Sequence, residues 1–221
     1  MTIRSYEEGV QHMPRQTFFN LPRERRERIL EAAIDEFSNN SFKNASVTKI
    51  AATAEVAKGS MYQYFKNKND LYKYVLEISA QKKQQYLMDC LRDMERLYFI
   101  DIIRELYIKG LEFACDNPKL AGIANNFIKE NDTKFKEEIM GMTTQKSNRF
   151  FEILLEKAKE KGEINPRIDT EVGAYVITSL NVSIIDYLLG YMQYEEILKS
   201  RDELMDKVEK ILFIIENGFK E

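Results

Sequence analysis

Helix breakers are scarce in this chain: nine glycines and four prolines among 221 residues, about half the usual share. So little turn material argues against a sandwich or barrel and for long helices joined by short connections. With 44% hydrophobic and 31% charged residues, the chain has enough apolar material for a core and too much for disorder. The expectation is an all-α protein.

Rare residues exclude several chemistries. The single histidine, His12, lies in a polar stretch near the start, which excludes His-rich metal sites and disfavours Ser-His-Asp and Cys-His arrangements. Cys90 and Cys115 are 25 apart and form no C-x-x-C pair; they read as small, buried apolar residues in a reducing compartment. Neither a G-x-x-x-x-G-K-[ST] nor a G-x-G-x-x-G loop occurs. No uncharged apolar stretch reaches about 18 residues, and Met1 to Val10 lacks the apolar segment of a secretion signal. The reading is a cytoplasmic protein with no membrane span, metal, cofactor or catalytic constellation.

The net charge of −3 hides an asymmetry. Residues 1–83 hold 14 basic and 10 acidic side chains, whereas 84–221 hold 19 and 26. Within 41–83 the count is 8 to 3. A basic N-terminal module in an acidic chain suggests an anionic partner for that module.

Residues 1–19 show no clean period and read as an arm, with Met13 as a candidate native start. Asn20-Leu21-Pro22 has the form of a helix start, with Asn20 as cap. Ile29, Leu30, Ala33, Ile34 and Phe37 follow on one helical face, and Phe42 returns to the core from the loop beyond. Ser46 is a cap for a short helix whose inner face is Val47, Ile50, Ala51 and Ala54. Glu55-Val56-Ala57 makes a tight connection to a second short helix over Lys58 to Tyr64. Asn67 to Asp70 opens a long helix, with Asp70 favourable to its N-terminal dipole. Further helices are expected over Phe99 to Ala114, Pro118 to Ile128, Thr133 to Lys161 with a break near Gly141, Thr170 to Tyr191 and Glu195 to Phe219. Gly162 is the expected cap of the third of these.

Two short helices joined by a three-residue turn form a helix-turn-helix signature. At 100° per residue, Met61 and Phe65 share one side of the second helix. Gly59, Ser60 and Gln63 lie opposite, with Tyr62 and Tyr64 on the flanks. Such a face suits the major groove: Gly59 permits close approach, and Ser60 and Gln63 can meet base edges. The tyrosine hydroxyls can reach phosphates, and Lys58, Lys66 and Lys68 supply charge. The same spacing also fits an ordinary helical hairpin with a solvated outer face.

The stretch from about Asn20 to Glu77, with RERILEAAIDEF and then SVTKIAATAEVAKGSMYQYFKNKNDLY, resembles the DNA-binding domain of tetracycline-repressor-like (TetR) regulators. The resemblance implies a three-helix helix-turn-helix domain over 20–66 and a helical dimerisation and effector-binding domain over 67–221. It places Ser46, Thr48 and Lys49 where phosphates are gripped and Lys58, Gly59, Ser60, Tyr62, Gln63 and Tyr64 on the recognition helix. Lys68 falls at the phosphate-binding start of the next helix. Glu55 stands where such regulators usually have Gly. It adopts the left-handed conformation at about 1–2 kcal/mol, or the turn differs.

Beyond residue 80 no motif matches. Leu204, Val208, Ile211 and Ile215 step along one helical stripe. Val176, Ser179, Leu180 and Ser183 give the preceding helix a face with small residues, so these eight are the candidate dimer contacts. Leu106, Tyr107, Phe127, Phe150, Phe151, Leu154 and Tyr175 are candidate walls of an effector pocket. The function expected is a homodimeric regulator on a pseudo-palindromic duplex operator, a repressor released by a largely apolar small molecule. Two other readings are a helical enzyme using carboxylates, for which no spacing nominates an acid–base pair, and an adaptor whose helix-turn-helix binds protein.

Overall fold

The computed structural model describes residues 14–92, 96–128, 133–191 and 201–219. Side chains are described there except at 89–92, 125, 128, 133, 138–146, 182, 184–191, 201, 202, 204 and 219. His12, Met13 and the side chains of Cys90 and Leu204 therefore lie outside the described set, while Cys115 is a half-buried free thiol. Every regular element among the described residues is a helix. In chain order they are α1 Gln16–Phe19, α2 Arg23–Asn39, α3 Val47–Thr53, α4 Lys58–Tyr64 and α5 Lys68–Arg92. There follow α6 Phe99–Asp116, α7 Pro118–Ile128, α8 Thr133–Glu160, α9 Thr170–Tyr191 and α10 Arg201–Phe219.

The chain forms two compact units. One runs to Ala80 and takes in Lys119–Phe127; the other comprises Gln81–Pro118 and the chain from Ile128 on. In the first, Ile29, Ala33 and Phe37 of α2, Ile50 and Ala54 beside the turn, Met61 of α4 and Leu71, Tyr72 and Val75 of α5 fill the core. Phe37 and Tyr72 meet edge to face at 4.8 Å, and Phe42 does fold back, its ring 4.9 Å from that of Tyr72. The α7 segment closes this core: Phe127 lies 6.3 Å from Tyr72. Asn126 Nδ2 donates to the carbonyls of Phe37 and Ser38 at 3.1 and 3.0 Å, carbonyls that the end of α2 leaves open. Lys119 pairs with Asp35 at 2.5 Å.

In the second unit, α6, α8, α9 and α10 pack around Phe99, Ile102, Ile103, Phe151, Leu154, Leu155, Ala174, Ile177, Val208, Leu212 and Ile215. Arg104 reaches Asp101 at 2.6 Å and Glu209 at 3.0 Å, tying α6 to α10. The α8 helix runs without a break through Gly141 and ends at Gly162, whose φ is +69°. Glu163 N donates to Ala158 O and Gly162 N to Lys159 O, the paired bonds of a Schellman cap.

Two local expectations need correction. Asn20 does not cap α2; it closes the single turn of α1, its amide donating to Gln16 O, and Pro22 precedes α2 instead. Part of the expected arm is ordered, because Phe18 is buried against Phe65 and Tyr74 at 5.1 and 5.6 Å.

Candidate nucleic-acid interface

The helix-turn-helix is built from its ends inward. Ser46 caps α3, its Oγ accepting from Lys49 N at 3.3 Å. Its own amide donates to Glu36 Oε1 at 3.0 Å, and Glu36 Oε2 lies 2.8 Å from Lys49 Nζ. Glu36 is only 6% exposed, so this carboxylate of α2 fixes both the start of α3 and the lysine on its first turn. The turn after α3 repeats the Schellman pattern, with Val56 N bonded to Ala51 O and Glu55 N to Ala52 O. Glu55 takes the left-handed position at φ +56°, the first of the two alternatives open for this residue.

The turn leaves α4 lying across α3 with Met61 1% exposed beneath it. Lys58, Gly59, Tyr62 and Gln63 are exposed and Ser60 is half-buried. A Cβ at Gly59 would meet open space, so none of the described residues demands glycine there. Thr48 and Lys49 are exposed on α3. The face is polar and basic, with one aromatic ring, Tyr62, 45% exposed.

Two candidates differ from their expected placement. Tyr64 is 6% exposed, its ring 6.2 Å from Phe18, because the α1 turn covers the flank on which it lies. Lys68 directs its ammonium inward: Nζ donates to Lys43 O and Ala45 O, each at 3.1 Å, and sits 4.7 Å over the Phe42 ring. It fastens the loop before α3 to the start of α5. That start is capped reciprocally, Asp70 N donating to Asn67 Oδ1 at 2.9 Å and Lys66 N to Asp70 Oδ2 at 3.1 Å.

Five of the seven pocket candidates meet in the core of the second unit. Phe151 and Leu154 are core, and Leu106, Tyr107 and Phe150 pack on that core partly buried. Phe127 belongs to the first unit, and Tyr175 is 61% exposed on α9. Sequence reasoning named Tyr107 but missed its polar neighbours: Tyr107 Oη donates to Asn181 Oδ1 at 2.5 Å. Among the described residues, Asn148 Oδ1 and Thr178 Oγ1 are buried and meet no hydrogen-bond partner. Two openings, of about 250 and 470 Å³, adjoin the start of α6 around Phe99 and Glu163; of the seven, Leu154 borders the first.

The dimer candidates also divide. Val208 and Ile215 are 5% exposed, and Leu180 and Ile211 pack on the same core. Ser183 and Val176 are exposed, and Ser179 is half-buried. Among the described residues, the large apolar side chains that α9 and α10 turn outward are Val172, Tyr175 and Val176, and Phe213 and Ile214 at 67% and 70% exposure. No helix among the described residues is long and apolar enough to cross a membrane.

Comparison with known proteins agrees with this geometry. Residues 29–75 match the family model for bacterial regulatory proteins of the tetR family. A TetR family transcriptional regulator from Chloroflexus aurantiacus superposes with a TM-score of 0.69 at 26% identity, over 95% of this chain and all of that one. The Bacillus subtilis transcriptional regulator FadR, solved in complex with stearoyl-CoA, gives 0.64 at 18% identity over 81% and 95% of the two chains. The Escherichia coli protein named "Probable acrEF/envCD operon repressor" is 22% identical over 195 residues, 87% of this chain and 88% of its own. Residues 29–75 thus form a DNA-binding domain of the tetR kind, and the chain is similar over most of its length to DNA-binding transcriptional regulators.

Proposed function

We propose that α4 is the recognition helix of a homodimeric repressor, reading one half of a pseudo-palindromic operator in each major groove. The observation that carries this is the exposed face of Lys58, Gly59, Tyr62 and Gln63, with Ser60 at its edge and Thr48 and Lys49 beside it. Gln63 and Ser60 meet base edges, Tyr62 stacks or bonds along the backbone, and Lys58 neutralises phosphate. Tyr64 and the Lys68 ammonium support the domain from within, which leaves base reading to Ser60 and Gln63. Val172, Tyr175, Val176, Phe213 and Ile214 face the partner, since these five large apolar side chains, on two helices that share one core, need cover.

The signal is a small molecule. FadR of B. subtilis was solved with stearoyl-CoA, and Tyr107, Asn148, Thr178 and Asn181 offer hydrogen bonds inside an otherwise apolar unit. The effector class is therefore a long apolar chain with one hydrogen-bonding head, with fatty acyl thioesters first to be tried. Binding would favour one conformation of the helical unit and lower operator affinity. The protein acts in the cytoplasm and turns over no substrate.

Selection from a randomised duplex pool with the full chain tests the reading. The expected product is an inverted repeat. Gln63→Ala then changes the base preferred at one position of each half-site, whereas Lys58→Ala weakens all sequences alike and lowers the salt slope by about one. Failure to enrich any sequence would overturn it.

A further inference from the structure

A seven-residue helix cannot satisfy its own last carbonyls, and α4 has no following turn to do so: the chain leaves at Phe65 in an extended conformation, φ −128° and ψ 134°. Three of those carbonyls are taken by the segment before α2. Arg15 Nη1 donates to Tyr62 O at 3.2 Å, Thr17 Oγ1 to Gln63 O at 2.6 Å, and Arg15 N to Tyr64 O at 2.9 Å. Phe18, 2% exposed and set among Tyr64, Phe65 and Tyr74, anchors the segment from below. The two residues whose carbonyls are held by side chains, Tyr62 and Gln63, both turn their own side chains outward on α4. The family match begins at residue 29, so neither Arg15 nor Thr17 lies within it.

We propose that Arg15 and Thr17 are positioning residues for base recognition: they cap the carboxyl end of α4 from outside and thereby set where Gln63 and Tyr62 meet the operator. The inference rests on α4 being the reading helix. Without the two caps, the last turn of α4 is free to fray or rotate, and Gln63 loses a fixed approach to its base. Specificity then falls faster than total affinity, because the phosphate contacts made from α3 and the start of α4 are untouched. Thr17 is exposed, so water can replace its bond. The effect on folding is accordingly small beside the effect on reading.

The test uses the full chain and a duplex that the wild type selects from a randomised pool. Thr17→Val is expected to bind that duplex about fivefold more weakly, with the salt slope unchanged. Its selected base profile should broaden at the positions that Gln63→Ala alters. Thr17→Ser, which keeps the hydroxyl, restores both. Arg15→Ala behaves like Thr17→Val, and circular dichroism establishes that each variant is folded. If Thr17→Val unfolds, Arg15→Ala decides alone. Wild-type affinity and profile in both variants would overturn the proposal. So would a uniform loss on all sequences that Thr17→Ser does not rescue, or a salt slope reduced by about one in Arg15→Ala, which would make Arg15 a phosphate contact. A base profile that Gln63→Ala leaves unmoved would instead overturn the assignment of α4.

Discussion

Lys49 Nζ lies 2.8 Å from Glu36 Oε2, so a lysine on the exposed side of α3 is held by a carboxylate that is itself almost fully buried. The other oxygen of Glu36 accepts the Ser46 amide at 3.0 Å. One side chain of α2 thus satisfies an open donor at the start of α3 and orients a cation toward solvent. Glu36→Ala leaves the Ser46 amide without its partner and should cost about 1–3 kcal/mol. Glu36→Gln keeps an acceptor for that amide and should cost less. Chemical denaturation of the three proteins checks the order, and equal midpoints for Glu36→Ala and wild type would contradict it.

Glu55 occupies at φ +56° the position that Gly162 occupies at +69° after α8. Both residues close Schellman caps with the same bond pattern. A side chain there crowds its own carbonyl at about 1 kcal/mol or more, against which glycine carries greater freedom in the unfolded chain. Strain should win, so Glu55→Gly raises stability by some tenths of a kcal/mol to about 1 kcal/mol. It also removes a negative charge from the basic face, and affinity for all duplexes should rise at low salt. A fall in melting temperature would show the left-handed residue to be unstrained.

Local signals carried the helix-turn-helix. The Ser46 cap, the inner face of Ile50, Ala51 and Ala54, and the three-residue turn are all written within a dozen residues. The resulting span of α4 is that of the structure. What was illegible depends on contacts far apart in sequence. Glu36 sits on a helix rich in acids and carries no mark of burial until Ser46 folds against it. Tyr64 looked like a flank residue because α1 is one turn long, too short to show a period, and its Phe18 does the covering. In α10, Ile211 to Ile215 are five successive apolar residues, so periodicity alone cannot choose which of them turns inward. No motif in Lys119–Phe127 announces that it packs with Phe37 and Tyr72.

The outward residues of α10 lead to a different expectation from the inward ones. Phe213 and Ile214 are 67% and 70% exposed in the protomer, so Phe213→Asp and Ile214→Asp place charge in water and leave the helical unit folded. If these two side chains meet a second copy, those substitutions bury a charge in an apolar contact and should separate the subunits. Ile215→Asp puts the charge into the protomer core, where Ile215 is 5% exposed, and should unfold it. Sedimentation with circular dichroism distinguishes the cases. A folded dimer of Phe213→Asp/Ile214→Asp would remove both residues from the interface.

Tyr107 gives the helical unit an alkaline limit. Burial pushes its phenol from the ordinary 10.0 up to about 12, and its hydroxyl donates to Asn181 Oδ1 at 2.5 Å. The folded state thus prefers the protonated phenol more than the unfolded chain does. Stability from this group is complete below pH 10 and is lost as pH climbs from 10 through 12. Tyr107→Phe removes the donor and leaves Asn181 Oδ1 to find another, at about 1 kcal/mol near neutrality. Above pH 10 the wild type loses the advantage it held, so the gap between the two proteins should narrow through that window. Phenolate absorbance at 295 nm gives the same result independently, with a late-titrating tyrosine present in wild type and missing from Tyr107→Phe. A ligand whose head group takes over the Tyr107 hydroxyl must shield it further from base, so a bound effector should move that late step higher still. If the step missing from Tyr107→Phe lies instead among the tyrosines that titrate near the ordinary 10.0, Tyr107 is open to water and is removed from the groups available to orient an effector.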